Sequence, residues 1–515
     1  MKDKKVKLFS AIALVALALL VVGATYAYFQ NQYGSASNAN VNVSTYTTDV
    51  LTFETGDAIN ISADQETFAQ GKGNRTGSTF ARATLQANNK TNTATANYYV
   101  YLKISGNDFE YSKDSSSPEL LLSITDNSGN QVTKLTGLNY ITVTDGSNKS
   151  VSGFDITKSS GLLTLVDNKE ISASPKQIEE WNITITLVNY NYDQNANTGK
   201  NFSGKLIIQK EKWKTLADYV ISQYTGTQGE NSIYYHDSSL TNGAGDNSYR
   251  YAGASEMVNN FVCFGSNENS CPTDNLYRII GVFGDNVKLI KYDYANSNLL
   301  GTDGDYSTNT YSKSDYLNYK EELTTINRYY WNYKNNTSIN DGKGSNEWST
   351  SLFNKTNLNK NYLNKIGTTW SNLIEDTIWK VSGHSTRDVT PKAMYTAEIT
   401  NATKTYGPSN GTSKIGLMYA SDYGFAAAPS AWKSGLHNYN TKLRESNWMY
   451  MGLNEWTITP NSSNSNYVFV ASNFGYLGYD SAYNEQGVRP VLYLKASVAY
   501  AGGAGTKDSP ITLVV

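Results

Sequence analysis

Side chains able to carry acid–base or nucleophilic chemistry are scarce in this sequence. The 515 residues include three histidines and two cysteines. The segment His236-Asp237-Ser238-Ser239 holds the residue types of a catalytic triad, but triads are assembled by the fold, so adjacency in sequence does not predict one. His384 and His437 have no evident partner, and we expect both to be surface or hydrogen-bonded residues.

The two cysteines are close together in the chain. Cys263 and Cys271 flank a polar segment that contains turn residues. In an exported protein such a pair predicts a local disulfide. A pair of metal thiolates is the alternative, although no nearby histidine or second cysteine pair completes a tetrahedral site.

Side chains with oxygen atoms that could bind a metal ion occupy every second position of one loop. Asp303, Asp305 and Ser307 follow the spacing with which calcium loops begin. The segment lacks the glycine and the glutamate that complete such a loop, so a solvated loop is the preferred interpretation. We assign no metal ion and no other cofactor.

Aromatic residues near the C-terminus are the main candidates for binding. They lie among Ser, Gly and Asn in predicted loops, where rigid rings beside adaptable polar groups suit protein or glycan recognition. The preferred alternative is that half or more of them, especially Trp448 and Trp456, fill the core of a loop-rich domain. The candidates are Trp432, Trp448, Trp456, Tyr476, Tyr479 and Tyr483.

Four carboxylates in the same region define the enzymatic alternative. A secreted hydrolase of polysaccharide or peptide would need two of them within roughly 5 to 10 Å in a cleft. These residues are Asp422, Glu455, Asp480 and Glu485.

Composition favours an exported β-rich protein. The net charge is -2, so there is no electrostatic drive towards nucleic acid, and we expect no nucleic-acid partner. Charged residues make up 17% of the chain, and 40 Tyr and 40 Gly accompany many Asn, Ser and Thr. This profile differs from that of an average soluble protein, in which charged residues are more frequent.

The N-terminus predicts export. Four lysines between Lys2 and Lys7 precede the apolar run Ala11 to Val22. Residues 1–29 are therefore a signal peptide or a membrane anchor, and cleavage after Ala27 is the favoured outcome. Either outcome places the rest of the chain outside the cell, with membrane contact only through this segment.

Residues 30–212 show the two-residue period of half-buried strands. Tyr98 to Ser105 and Trp181 to Leu187 alternate apolar and polar positions, and Leu120 to Thr125 runs into the turn cluster Asp126 to Asn130. Several short strands between turns predict a β-sandwich.

This first part resembles the camelysin/TasA family of exported Gram-positive proteins. The likeness rests on the signal end Gly23 to Phe29, on Tyr98 to Leu102 and Trp181 to Leu187, and on Gly204 to Ile208. The resemblance implies a jelly-roll-like sandwich able to assemble into matrix fibres by exchange of a strand. Some relatives are described as metallopeptidases, an activity we do not carry over because no His-Glu-x-x-His motif is present.

Residues 213–515 form the second predicted domain. It begins with a short amphipathic helix, Thr215 to Tyr224, and continues with a hairpin, Leu276 to Val282 and Val287 to Lys291. The apolar spacing from Trp348 to Ile366 predicts two short helices, with Ser345 as the cap of the first. Short strands follow as far as Lys495.

This part resembles a C-type-lectin-like bacterial surface module. The likeness rests on Leu276 to Phe283, Trp456 to Pro460 with Tyr467 to Val470, and Gly487 to Leu492. It implies an α+β domain that pairs an early strand with the last one. The calcium-binding triplets of sugar-binding lectins are absent.

The fold expected is therefore mainly β with an α+β second half. The expected function is that of a non-enzymatic cell-surface or extracellular-matrix protein of a Gram-positive bacterium, an adhesin or fibre component. Its partners would be protein or glycan on host, matrix or cell wall, together with other copies of itself. A secreted hydrolase is the alternative.

Overall fold

The computed structural model describes residues 49–69, 71–88, 93–268, 270–316, 325–402 and 411–515. The predicted signal peptide lies outside these residues. By its internal contacts the chain divides into two compact units. Among the described residues, one unit lies within residues 49–54, 83–96 and 171–178, and the other within residues 55–82, 97–170 and 179–515.

The protein is mainly β, as the sequence predicts, and its sheets are antiparallel. The first half contains a six-stranded sheet of order β1-β3-β9-β5-β7-β6 and a four-stranded sheet of order β2-β10-β4-β8. The strands are β1 (Val50–Thr55), β2 (Ile59–Ser62), β3 (Arg75–Gln86), β4 (Ala94–Asn107), β5 (Leu120–Asp126), β6 (Tyr140–Thr144), β7 (Ser150–Asp155), β8 (Gly161–Ala173), β9 (Lys176–Leu187) and β10 (Asn201–Gln209).

Strand β4 shows how the sequence period builds this half. Its residues Tyr98, Val100, Leu102 and Ile104 are buried, as their alternation predicts. Tyr101 lies on the opposite face of the strand and is buried as well. Its ring is 2% exposed, because a small apolar cluster that includes residues from the far end of the chain covers it. The exposure of an outward-facing residue is thus set by what packs against the strand.

Strands of the second half form one large sheet and several small ones. The large sheet has the order β11-β12-β14-β15-β25-β20, and β13 also pairs with β14. The smaller sheets are β16-β17-β24, β18-β19, β21-β22-β23 and β26-β27. The bounds are β11 (Ile233–His236), β12 (Ser248–Tyr251), β13 (Phe261–Cys263), β14 (Leu276–Phe283), β15 (Asn286–Lys291), β16 (Tyr306–Tyr311), β17 (Ile326–Tyr330), β18 (Thr377–Trp379), β19 (Gly411–Ser413), β20 (Ile415–Gly416), β21 (Glu455–Pro460), β22 (Tyr467–Ala471), β23 (Leu477–Ser481), β24 (Glu485–Gln486), β25 (Val491–Leu494), β26 (Tyr500–Gly502) and β27 (Thr512–Leu513).

The predicted hairpin is present as β14 and β15, and it lies at the centre of the large sheet. Val287 and Ile290 of β15 pair with Leu494 and Val491 of β25, so the predicted hairpin contacts the strand of the large sheet that comes last in the chain. Both β14 and β15 are buried along nearly their whole length. The core therefore forms around this pairing.

Helices in the described part of the chain are short. The predicted first helix is α1, where the Thr215 side chain accepts a hydrogen bond from the Asp218 backbone as an N-cap. The α-helices are α1 (Leu216–Ser222), α2 (Ser297–Leu300), α3 (Leu363–Ile366), α4 (Thr368–Ser371), α5 (Pro391–Tyr395), α6 (Ala420–Phe425) and α7 (Thr441–Glu445). Turns of 3-10 helix lie at Asn195–Asn197, Glu230–Ser232, Ser255–Met257, Thr273–Asn275, Lys313–Asp315, Trp348–Thr350, Pro429–Ala431 and Leu436–Asn438.

One helical prediction needs correction. The two helices expected between Trp348 and Ile366 are a 3-10 turn, a π-helical segment (Phe353–Tyr362) and α3. The cap of the first turn is Glu347, not Ser345. A second π-helical segment (Thr396–Thr400) follows α5 directly. None of the helices in the described ranges has the length and apolar character needed to span a bilayer.

Candidate binding surface

The three candidate tryptophans lie in the interior. Trp432, Trp448 and Trp456 are at most 1% exposed. Each indole N–H donates to a backbone carbonyl, at 2.9, 2.8 and 2.7 Å respectively. These three candidates are therefore not available for binding at the surface, and their burial agrees with the expectation that half or more of the six aromatic residues fill the core of a loop-rich domain.

Two of the three candidate tyrosines lie on an open surface formed by β22 and β23. Tyr479 is 41% exposed and its ring stacks on Tyr467 across the strand pair, with centroids 5.1 Å apart. In the loop before β23, Phe474 is 55% exposed and its ring lies parallel to that of Tyr476 at 6.3 Å. We call these four rings, with Arg387 and His437, the aromatic patch.

Arg387 gives the aromatic patch a positive charge between its rings. Its guanidinium carbon lies 5.2 Å from the ring centroid of Tyr479 and 5.9 Å from that of Tyr476. The imidazole of His437 meets the Tyr476 ring edge-on at 5.6 Å. Cation–π contacts of this kind orient a guanidinium while leaving its N–H groups free to donate to a ligand.

The loop that carries Phe474 and Tyr476 is fixed by hydrogen bonds. The Tyr423 hydroxyl donates to the Gly475 carbonyl at 2.7 Å, and the Asn473 N–H donates to the Asn454 side chain at 2.8 Å. Gly475 has a φ of +94°, and a Cβ built on it would lie 2.4 Å from a side-chain carbon of Arg444. Only glycine fits this turn, so the loop presents both rings in one preset arrangement.

Tyr483, the third candidate tyrosine, belongs to a separate cluster. It is 39% exposed and its ring lies 6.2 Å from that of Tyr333, which in turn contacts Tyr330 at 5.0 Å. The structure thus divides the predicted tyrosines between two exposed groups.

The four candidate carboxylates each have partners of their own. Asp422 pairs with Lys288, and Glu455 makes two hydrogen bonds of 2.7 and 2.6 Å with Arg489. Asp480 accepts from Asn484 and Gln486, and Glu485 accepts from Ser307 and Asn309. Each carboxylate therefore has hydrogen-bond or ion-pair partners that fix its position in the fold.

The predicted calcium-loop residues are also engaged. Both oxygens of Asp305 accept backbone N–H groups, from Lys334 at 2.8 Å and from Phe353 at 2.9 Å. Asp303 accepts from the Asn361 side chain. Within the described ranges no group of three His, Cys, Asp or Glu is placed to hold a metal ion. Asp303 and Asp305 thus hold their loop against the π-helical segment Phe353–Tyr362.

Cys263 and Cys271 form the predicted disulfide, with sulfur atoms 2.06 Å apart. Of the histidines, His236 is fully buried and accepts the Ala244 N–H at Nδ1, while burial holds its pKa well below the usual range. His384 accepts the Thr386 N–H at Nδ1. Hydrogen-bonded roles for these two are thus observed.

Sequence reasoning did not find Arg387 and Phe474. Neither lies in a recognisable motif, and Arg387 precedes β23 by about ninety positions of chain. The signal that was present is Tyr476 and Tyr479 at three-residue spacing beside Gly475, which marks an exposed turn.

A second missed feature is a buried charged cluster around α6. It comprises Lys288, Arg250, Asp246 and Asp422, and the carboxyl of Glu398 lies at the start of the same helix. Burial raises the pKa of Glu398 from 4.5 to about 7. The burial of Asp246 acts to raise its pKa, but Arg250 together with hydrogen bonds from Ser248 and Tyr395 outweighs this and holds the pKa at about 2.

No protein-family model matches the chain, and no curated protein shows a significant match to it.

Proposed function

We propose that this is an exported, non-enzymatic surface or matrix protein of a Gram-positive bacterium that binds a glycan through the aromatic patch. The camelysin/TasA-like and C-type-lectin-like identities of its two halves are part of this proposal. The antiparallel sheets of the first half and the pairing of β15 with β25 in the second are consistent with those resemblances.

The observation that carries the proposal is the exposure of ordered rings around a cation. Phe474 and Tyr479 are 55% and 41% exposed, and Arg387 lies against two tyrosine rings. Ring faces of this kind pack against the apolar C–H faces of sugar rings. The guanidinium supplies hydrogen bonds to the hydroxyl groups of a sugar, since all of its polar atoms are N–H donors.

A glycan suits this surface better than a protein. The centre of a protein–protein interface is a continuous desolvated area with few charges. Here the rings are interrupted by Arg387 and by the exposed residues His437, Asn438 and Asp388. The Asn438 amide donates to the Asp388 carboxylate at 3.2 Å, so polar groups surround the rings on this side.

The test is a glycan-array screen with the purified full chain, followed by titration of any sugar that binds. We expect Tyr479→Ala and Phe474→Ala each to weaken binding by about tenfold or more, as removal of a central interface ring does. Tyr235→Ala is the matched control, since this half-buried tyrosine stacks on Tyr249 in the large sheet.

Three outcomes would count against the proposal. They are a folded protein that binds no glycan on the array, equal binding by Tyr479→Ala and the parent chain, and capture of a protein partner through the aromatic patch. Tyr483→Ala reports whether the bound glycan extends to the second tyrosine cluster. Addition of EDTA should leave binding unchanged, because the proposed contacts use rings and a guanidinium.

A further inference from the structure

The contact between Lys288 and Asp422 has the geometry of a reaction pair. Lys288 is on β15 and Asp422 is on α6, which lie 134 residues apart in sequence. The Lys288 Nζ is 2.5 Å from Asp422 Oδ2, and the two side chains are 1% and 2% exposed. A lysine amine and a carboxylic acid held this close can condense into an amide.

We propose that Lys288 and Asp422 form an intramolecular isopeptide bond. The amine nitrogen attacks the carboxyl carbon of Asp422, a C–N bond forms, and one C–O bond breaks. The departing oxygen leaves as one water molecule, which carries one proton from the amine nitrogen and one from the carboxylic acid. Atoms and charge balance, and the step needs no oxidant, reductant or other reactant.

Aromatic rings surround the amine of Lys288 and keep water away from the pair. Lys288 Nζ lies 4.4 Å from the ring centroid of Tyr419, 5.2 Å from that of Tyr493 and 5.5 Å from that of Phe283. Burial acts to lower the pKa of Lys288, but Asp422 and Tyr493 together outweigh it, so the pKa is raised. The reaction therefore begins with transfer of a proton from the Lys288 ammonium to the carboxylate oxygen 2.5 Å away, which gives the amine and the acid that condense.

Arg250 is placed to stabilise the negative charge that develops on the carboxyl oxygen. Its Nη1 is 3.6 Å from Asp422 Oδ1. Among the described residues this buried Nη1 finds no hydrogen-bond acceptor. The other nitrogens of the guanidinium donate to Ser248 and Asp246, which fixes the orientation of the group. A fixed donor near a developing oxyanion lowers the barrier to acyl transfer.

Glu398 is a buried acid that contacts the backbone next to the reacting pair. Both of its carboxyl oxygens accept the backbone N–H of Ser421, the neighbour of Asp422, at 3.3 Å. Thr459 Oγ1 donates to the same carboxyl at 2.5 Å. Because burial raises the pKa of Glu398 to about 7, this acid retains its proton close to neutral pH and adds no full negative charge beside the pair below that pH.

Intact-mass spectrometry of the folded full chain, reduced to open the disulfide, tests the proposal directly. We expect a mass lower than that of the sequence by one water molecule, and a branched peptide that joins Lys288 to Asp422 after proteolysis. Lys288→Arg should show no such deficit. N-terminal processing is common to both chains, so comparison of their deficits removes its contribution.

A parent chain with no deficit, and with Lys288 and Asp422 recovered in separate peptides, overturns the proposal and leaves a buried ion pair. This measurement does not depend on whether a variant folds. Lys291→Ala is the matched control on the same strand and should retain the deficit.

Discussion

The buried carboxyl of Glu398 predicts a specific pH dependence of stability. It is fully buried, and burial raises its pKa from 4.5 to about 7. The folded protein therefore holds this proton to higher pH than the unfolded chain does. The stabilisation is complete below pH 4.5 and is lost as the pH rises through 7. The change in the free energy of unfolding is about 3 kcal/mol.

Glu398→Gln isolates this effect, since the glutamine is uncharged at every pH and can still accept from Thr459 and the Ser421 N–H. Urea unfolding of both proteins between pH 4 and 8 gives the measurement. We expect the parent chain to lose about 3 kcal/mol relative to the variant across that range, most steeply between pH 4.5 and 7.

The comparison uses the change with pH, so a constant difference in stability between the two proteins does not affect it. Parallel profiles would refute the reasoning, because they would show that Glu398 titrates alike in the folded and unfolded chains. A relative gain of the parent chain with rising pH would refute it as well, since the carboxylate would then be stabilised by folding.

Three further predictions concern stability. Replacing Cys263 and Cys271 together by serine should lower the free energy of unfolding by about 2 to 3 kcal/mol, because the disulfide closes a short loop; equal stability of the parent chain with and without reductant would contradict this. Glu455→Ala should cost about 3 to 5 kcal/mol, because it leaves the Arg489 guanidinium buried without its carboxylate; Glu455→Ala with Arg489→Met should recover part of that loss in urea unfolding. Trp456→Ala should cost about 3 to 5 kcal/mol, because the ring is 1% exposed; a thermal midpoint equal to that of the parent chain would place this ring outside the core.

Local periodicity was sufficient for many individual elements. The two-residue alternation in Tyr98 to Ile104 predicts both a strand and its buried face, and turn residues mark the hairpin of β14 and β15. The threonine cap of α1 is likewise readable from a few neighbouring residues. These features depend on backbone geometry and nearest neighbours, which the sequence states directly.

The candidate site was only partly predictable. Tyr476 and Tyr479 follow from aromatic residues at a glycine turn, and the sequence already favoured core positions for Trp448 and Trp456. The burial of Trp432 was not singled out, since a tryptophan in a polar segment suits a core and a surface equally. Which rings stay exposed depends on which strands cover them.

By itself the sequence determined a mainly β chain, its principal strands, and a local disulfide. Tertiary structure alone decided that Arg387 lies over Tyr479, and that Lys288 meets Asp422. The physical reason is that strand period, turns and caps are local properties of the backbone. Contacts between residues distant in the chain arise only when several sheets and loops pack together, and they depend on the relative placement of whole elements.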